Sequence, residues 1–132
     1  MDCVVELEGI VSSGLGEGVR LTQLDWVLDQ FRNKLGFTPF PGTFNLRVEG
    51  PEWEGFRLMS DSYTGIAIVP PAGFCAARCY RARIGDRITG AVVVPEVEGY
   101  PGDKVEIVAP VSVRKSLGLH DGDAVRLHME LE

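Results

Sequence analysis

Histidine and cysteine are scarce in this chain of 132 residues, with two of the first and three of the second. His120 and His128 both fall near the C-terminus, which leaves a zinc centre or a histidine-activated nucleophile poorly supported. Cys3, Cys75 and Cys79 form no Cys-x-x-Cys motif, and any disulfide scheme leaves one of them unpaired, so reduced, partly buried thiols are expected. No apolar run approaches the roughly 20 residues that a membrane helix needs, and Met1-Asp2-Cys3 lacks the basic-then-apolar order of a signal peptide. A cytoplasmic protein with no membrane partner is the expectation. Positive charge is also thin. Thirteen Lys and Arg stand against 19 Asp and Glu, giving a net charge of −6. The basic residues are scattered, so the field that would gather a nucleic-acid backbone is missing. A single nucleotide remains compatible, because backbone amides and a metal can hold phosphates without a basic surface.

What is present suits one folded domain spanning 1–132. The chain is long enough to bury a real core, and its 45% hydrophobic and 24% charged residues are ordinary for a globular protein. Val4 to Val11 alternates between apolar and acidic residues and reads as a strand leading into Ser12-Ser13-Gly14-Leu15-Gly16-Glu17-Gly18. Leu24, Val27, Leu28, Phe31 and Leu35 then recur at helical spacing, with Thr22 and Asp25 as an N-terminal cap and Gly36 as the stop. This is the one amphipathic helix. Short runs rich in Val, Ile and Thr follow between turn signals: Thr43 to Val48, Gly65 to Val69, Cys75 to Ile84, Ile88 to Val94, Val105 to Val108 and Ala124 to Met129. Gly85-Asp86 and Asp121-Gly122-Asp123 read as tight turns, and Ser112 to Leu117 as a single helical turn. Many short strands with one real helix predict a mainly β, compact barrel.

Two segments carry chemistry. Pro41-Gly42-Thr43-Phe44-Asn45 places two oxygen side chains two residues apart after a turn, and on a strand residues i and i+2 share a face. Thr43 and Asn45 can therefore reach one small ligand while Phe44 points into the core. A hydroxyl and a carboxamide suit a hard cation such as Mg2+, but Thr and Asn beside a turn also commonly bond the local backbone. Upstream, Gly14, Gly16 and Gly18 at alternate positions follow a strand. Backbone without Cβ atoms can approach a phosphate closely, or can simply form a flexible hairpin loop. The spacing is neither a Walker loop nor a Rossmann fingerprint. Cys75 and Cys79 share a strand face and read as core filler, as do Trp26 and Phe31 on the helix. Tyr80 and Tyr100 are the tyrosines placed to meet a bound aromatic ring.

Taken as a set, the motifs resemble a known family. Gly9-x-Val11-x-Ser13-Gly14-Leu15-Gly16-Glu17-Gly18, Leu35-Gly36-Phe37-x-Pro39 and Pro41-Gly42-Thr43-Phe44-Asn45 are similar to the archaeal CTP-dependent riboflavin kinases. The likeness continues through Gly90-Ala91-Val92-Val93-Val94-Pro95, Glu106-Ile107-Val108-Ala109-Pro110, Arg114 and Leu119-x-Asp121-Gly122-Asp123, so it covers nearly the whole chain in order.

The resemblance implies a six-stranded cradle-loop (RIFT-like) barrel with short helical turns, a transferase that moves the γ-phosphate of CTP to the 5′-hydroxyl of riboflavin and yields FMN and CDP. It implies that Leu15, Gly16, Glu17, Gly18, Val19 and Arg20 wrap the nucleotide, helped by Val111, Ser112, Val113 and Arg114. Thr43 and Asn45 would bind Mg2+. Glu106 would contact the flavin's ribityl chain and act on the attacking hydroxyl, and position 98 would make a flavin contact. The chain departs from the family at that point, with Glu98-Gly99 where Thr followed by His or Tyr is usual, and at Val19-Arg20-Leu21, where relatives often carry aromatic residues. Some members carry a winged-helix DNA-binding domain in front; none is expected here, and a monomer without a nucleic-acid partner is. Two alternatives are a flavin- or nucleotide-binding barrel without catalysis and a DNA-binding barrel, since Leu119 to Val125 also resembles the signature of bacterial transition-state regulators.

Overall fold

The computed structural model of the chain describes residues 4–13, 17–59 and 62–131. In order these form β1 (Val4–Ser12), α1 (Glu17–Thr22), α2 (Asp25–Gln30) continuing as a π-helical turn (Phe31–Leu35), β2 (Phe44–Val48), α3 (Pro51–Leu58) and β3 (Ile66–Ile68). Then come β4 (Ala77–Ile84), β5 (Ile88–Pro95), β6 (Lys104–Val108), α4 (Val113–Leu117) and β7 (Ala124–Glu130).

The seven strands run β3-β4-β5-β6-β2-β1-β7, and a further pairing of β4 with β7 closes all but β3 into a six-stranded antiparallel barrel, as the family resemblance implied. One edge of β4 is shared. Ala82 to Ile84 pair with β7, while Ala77 to Cys79 pair with β3. A long strand can serve two partners in this way because each needs only a few residues of ladder.

Strand alternation decides what fills the barrel. On β7, Val125, Leu127 and Met129 point inward between the outward Arg126 and His128; on β2, Phe44, Leu46 and Val48 do the same around Asn45 and Arg47. Tyr80 belongs to this interior. It is 2% exposed and packs edge-on against Phe56 at 5.3 Å, so the expectation that it meets a bound ring is overturned by the parity of β4.

A second apolar cluster lies outside the barrel wall. Val27, Phe31 and Leu35 pack onto Ile68, Cys79, Ala91 and Val108, so the amphipathic helix roofs β3 to β6. Gly36 ends it with φ of +84°, a left-handed conformation that glycine adopts without steric cost. Gln30 fastens the roof to the segment after β3, its carboxamide donating to the Val69 carbonyl and accepting from the Val69 N–H, each at 2.7 Å. Thr22 does not cap this helix, as the sequence suggested; the cap position is Leu24, without a side-chain bond, because Thr22 ends the separate helix α1.

Two helices were unforeseen. α1 turns the second half of the glycine run into a helix, and α3 closes one end of the barrel with Trp53 and Phe56. The signals for α3 are present: Pro51 in the first turn, Glu52 and Glu54 beside it, and Arg57 in the last turn.

Candidate functional site

Thr43 follows the Pro41-Gly42 turn, and Asn45 stands on the outer face of β2 directly opposite Glu106 of β6 and Ser12 of β1. Cross-strand neighbours lie close enough for their side chains to meet. The Thr43 hydroxyl is 3.1 Å from Asn45 Oδ1 and 3.4 Å from Glu106 Oε1, and its single proton serves one of them at a time. The other carboxylate oxygen of Glu106 accepts from the Tyr100 hydroxyl, and Lys104 Nζ lies 3.8 Å from Oε1. Burial, then the bond to Glu106 and its negative charge, push the Tyr100 phenol well above its usual range, so it stays protonated.

Helix α1 is clamped to this group. The buried Thr22 hydroxyl donates to the Gly18 carbonyl at 2.8 Å and accepts from the Gly42 N–H at 2.9 Å; Gln23 reaches the Pro39 carbonyl at 3.2 Å. Gly18 approaches Thr43 so closely that a Cβ on it would lie 3.1 Å from the hydroxyl. The start of α4 is tied in from the other side. Arg114 donates to the Ser12 carbonyl at 3.1 Å and to Asp121 at 2.5 Å, and Asp121 also accepts from Ser13 at 2.7 Å. The bond from Ser13 and then the guanidinium hold the exposed Asp121 carboxyl below its ordinary range.

Most of these groups, though not Gln23 or Asp121, line a cavity of about 790 Å³ between the barrel wall and the helical roof, within the size range of small-molecule sites. Gly18, Thr43, Asn45, Lys104, Glu106 and Arg114 furnish its polar end. Trp26, Phe31, Ile68, Phe74 and Val97 furnish its apolar end, where Trp26 and Phe74 meet edge to face at 5.3 Å. A second space of about 180 Å³ adjoins it, lined by Val111, Ser112 and Val113 and sharing Gly42, Thr43 and Arg114 with the first. Thr43 thus stands at the junction of two cavities.

Most residues singled out in the sequence converge here, and some do not. Leu15 and Gly16 lie outside the described residues, and Glu17 opens α1. Val19 lines the large cavity and touches the Gly42 turn, whereas Arg20 is exposed on α1 and lines neither space. Glu98 is exposed in the turn after β5; its neighbours Val97 and Tyr100 are the ones that line the cavity. Trp26 packs where helical periodicity put it, but it also faces the cavity, which spacing alone does not distinguish from core filling. Phe74 was missed because it belongs to no periodic segment. Cys79 is buried under α2, and burial pushes its thiol up to about 12; Cys75 is exposed, and both are free.

The spacing of Thr43 and Asn45 can be compared with what a magnesium ion needs. Mg2+ prefers octahedral oxygen coordination at about 2.0–2.1 Å, which sets adjacent ligand oxygens roughly 3 Å apart. The 3.1 Å between Thr43 Oγ1 and Asn45 Oδ1 matches two neighbouring corners, and the adjoining cavity leaves the rest open to water and phosphate. Among the described residues no group of three or more His, Cys, Asp or Glu is placed to bind a metal, so a transition-metal centre has no comparable set.

A closed barrel with a roofed cavity and a pair of neutral oxygen donors at the meeting point of two spaces defines a small-ligand site suited to phosphate chemistry. The model of the CTP-dependent riboflavin kinase domain, described as a domain of unknown function, DUF120, matches residues 11–129, and the chain belongs to that family. The chain is 40% identical over 134 residues to a riboflavin kinase of Pyrobaculum arsenaticum, covering 96% of this chain and 61% of that protein. It is 39% identical to one of Archaeoglobus fulgidus (96% and 55%) and 42% identical to one of Methanoregula boonei (93% and 56%). The chain therefore spans between half and two thirds of the length of the curated relatives it matches.

Proposed function

We propose that this chain phosphorylates riboflavin with CTP and Mg2+ in the cytoplasm, giving FMN and CDP. The observation that carries the proposal is the meeting of Thr43, Asn45 and Glu106 in a large, partly apolar cavity, with Thr43 also lining a second, smaller one. Family membership and the names of the relatives supply the substrates. The apolar end beside Trp26 and Phe74 suits the flat flavin ring, and the polar end suits its ribityl chain. Gly18 and Val19 on one side and Val111 to Arg114 on the other suit the nucleotide.

Phosphoryl transfer asks chiefly for alignment and charge neutralisation. Thr43 and Asn45 would hold Mg2+, which supplies positive charge to the phosphates. Glu106 accepts a hydrogen bond from the 5′-hydroxyl and keeps its oxygen aimed at the γ-phosphorus. As the new P–O bond forms, the bond to the β–γ bridging oxygen breaks; the hydroxyl proton passes toward Glu106 and water, and CDP leaves. The net charge of −6 argues against the basic face that a DNA-binding barrel needs.

Incubating the purified chain with riboflavin, Mg2+ and either CTP or ATP, and separating the flavins by chromatography, tests the assignment. FMN with CTP is expected. No FMN with any nucleotide would leave a binding barrel without catalysis, and FMN with ATP alone would remove the CTP assignment.

A further inference from the structure

We propose that Tyr100 is a positioning residue that fixes the carboxylate of Glu106 for the acceptor hydroxyl; this rests on the riboflavin kinase assignment above. Glu106 projects outward from β6 into the polar end of the large cavity, and a carboxylate on a single strand is free to rotate unless something holds it. Each of its oxygens has a different neighbour. Oε2 accepts from the Tyr100 hydroxyl, whereas Oε1 faces Thr43 at 3.4 Å and Lys104 Nζ at 3.8 Å. With Oε2 engaged, Oε1 is the oxygen turned toward the Thr43 and Asn45 pair, where phosphate and acceptor would meet.

The phenol is itself well braced. Tyr100 lines the cavity between the turn that follows β5 and Pro101, its N–H donates to the Val97 carbonyl at 3.4 Å, and Lys104 Nζ lies 5.6 Å from its ring centroid. A cation over the ring face and a hydrogen bond at its far end restrain both tilt and rotation. Its proton is also secure. Burial and the adjacent carboxylate keep the phenol neutral, so Tyr100 cannot serve as the base and remains a donor throughout the reaction. A hydrogen bond to a charged acceptor is among the stronger kinds, and it is present before substrate arrives, so no ordering is needed at the moment of transfer.

The role separates from simple packing by three measurements on the purified chain. Tyr100→Phe keeps the ring and removes only the hydroxyl. It is expected to lower kcat for riboflavin phosphorylation by about 10- to 100-fold, the loss of one charge-assisted hydrogen bond, while the riboflavin KM moves less than about threefold. The same change made on a Glu106→Ala background is expected to cost less than about twofold, because the group it positions is gone. A crystal structure of Tyr100→Phe is expected to show Glu106 turned away from Thr43 or spread over several rotamers. Unchanged kcat in the single variant, equal losses in both backgrounds, or a Glu106 rotamer identical to that of the unsubstituted chain would each overturn the proposal. If the unsubstituted chain makes no FMN, the kinase assignment fails, and the rotamer of Glu106 in the crystal still decides the role of Tyr100.

Discussion

Gly18 and Thr43 stand so close that a single added methyl group on Gly18 would press to 3.1 Å from the Thr43 hydroxyl and 3.2 Å from its methyl carbon. The contact links the glycine-rich segment to Thr43 and, through it, to Asn45. Gly18→Ala sets two effects against each other: alanine favours a helix by up to about 1 kcal/mol over glycine, and the crowded contact costs a similar amount. The melting temperature should therefore shift by only a few degrees. Thr43, displaced by a few tenths of an ångström, should lose about tenfold in turnover. Thermal melts and FMN formation measured on the same preparation check both halves.

Asn45 shares its strand face with Thr43 and stands across from Glu106. Asn45→Ala removes one of the two protein oxygens offered to Mg2+, so the Mg2+ concentration for half-maximal activity should rise by at least about tenfold. Folding should lose only about 1 kcal/mol, since the Thr43 hydroxyl retains Glu106 as an acceptor. Activity titrated against Mg2+ is the measurement, and an unaltered curve would show that the metal sits elsewhere.

Thr22 is 5% exposed and joins α1 to the Gly42 turn through one hydroxyl. Thr22→Val preserves its shape and strands the Gly42 N–H, which should cost about 1–3 kcal/mol. Thr22→Ser retains the hydroxyl and should recover most of that loss. Urea denaturation of the two variants separates the hydrogen bond from the packing.

Cys79 and Cys75 should differ sharply toward thiol reagents. The buried Cys79 thiol has its titration moved from 9.0 to about 12, whereas Cys75 is exposed. Peptide mapping after brief labelling near pH 8 should find Cys75 modified and Cys79 protected until the chain unfolds. The linkage has a definite sign. The folded state holds the Cys79 proton to higher pH than the unfolded chain, so this group's contribution is intact below about pH 9 and is lost progressively as pH rises toward about 12. Cys79→Ala should flatten that part of the stability profile.

The strands were legible because their alternation is a local property. Phe44, Leu46 and Val48 against Asn45 and Arg47 announce both a strand and the face on which its polar residues stand. The closeness of Thr43 and Asn45 was legible for the same reason, since residues two apart in extended backbone share a face whatever the rest of the chain does. The pattern of short strands pointed to a compact barrel, but its six-strand count came from the family likeness rather than from periodicity. Phe74 could not be placed because its partner Trp26 is distant in sequence and only the folded chain brings them together, whereas Tyr100 was expected near a ligand, but its bond to Glu106, six residues on, depends on the path of the β5–β6 turn, which no periodicity reports. Helix α3 was obscured by Gly55 and by a burial pattern of just two aromatic residues, Trp53 and Phe56. Thr22 shows how a cap residue is misassigned when an additional helix, itself glycine-bearing, precedes the expected one.

The barrel is closed by only Ala82 to Ile84 of β4, and the other half of that strand, still paired with β5, carries β3 on its free edge. The chain from β3 to Ala77 borders the apolar end of the cavity, at Ile68 and Phe74, yet bears none of the polar groups around Thr43. Insertions or deletions there can reshape what the apolar end accommodates while the polar groups around Thr43 and the closed ladder stay as they are. The shape of the apolar end can thus be varied apart from the hydrogen-bonded groups around Thr43, and loop grafts between β3 and β4 are the natural place to alter the first without disturbing the second.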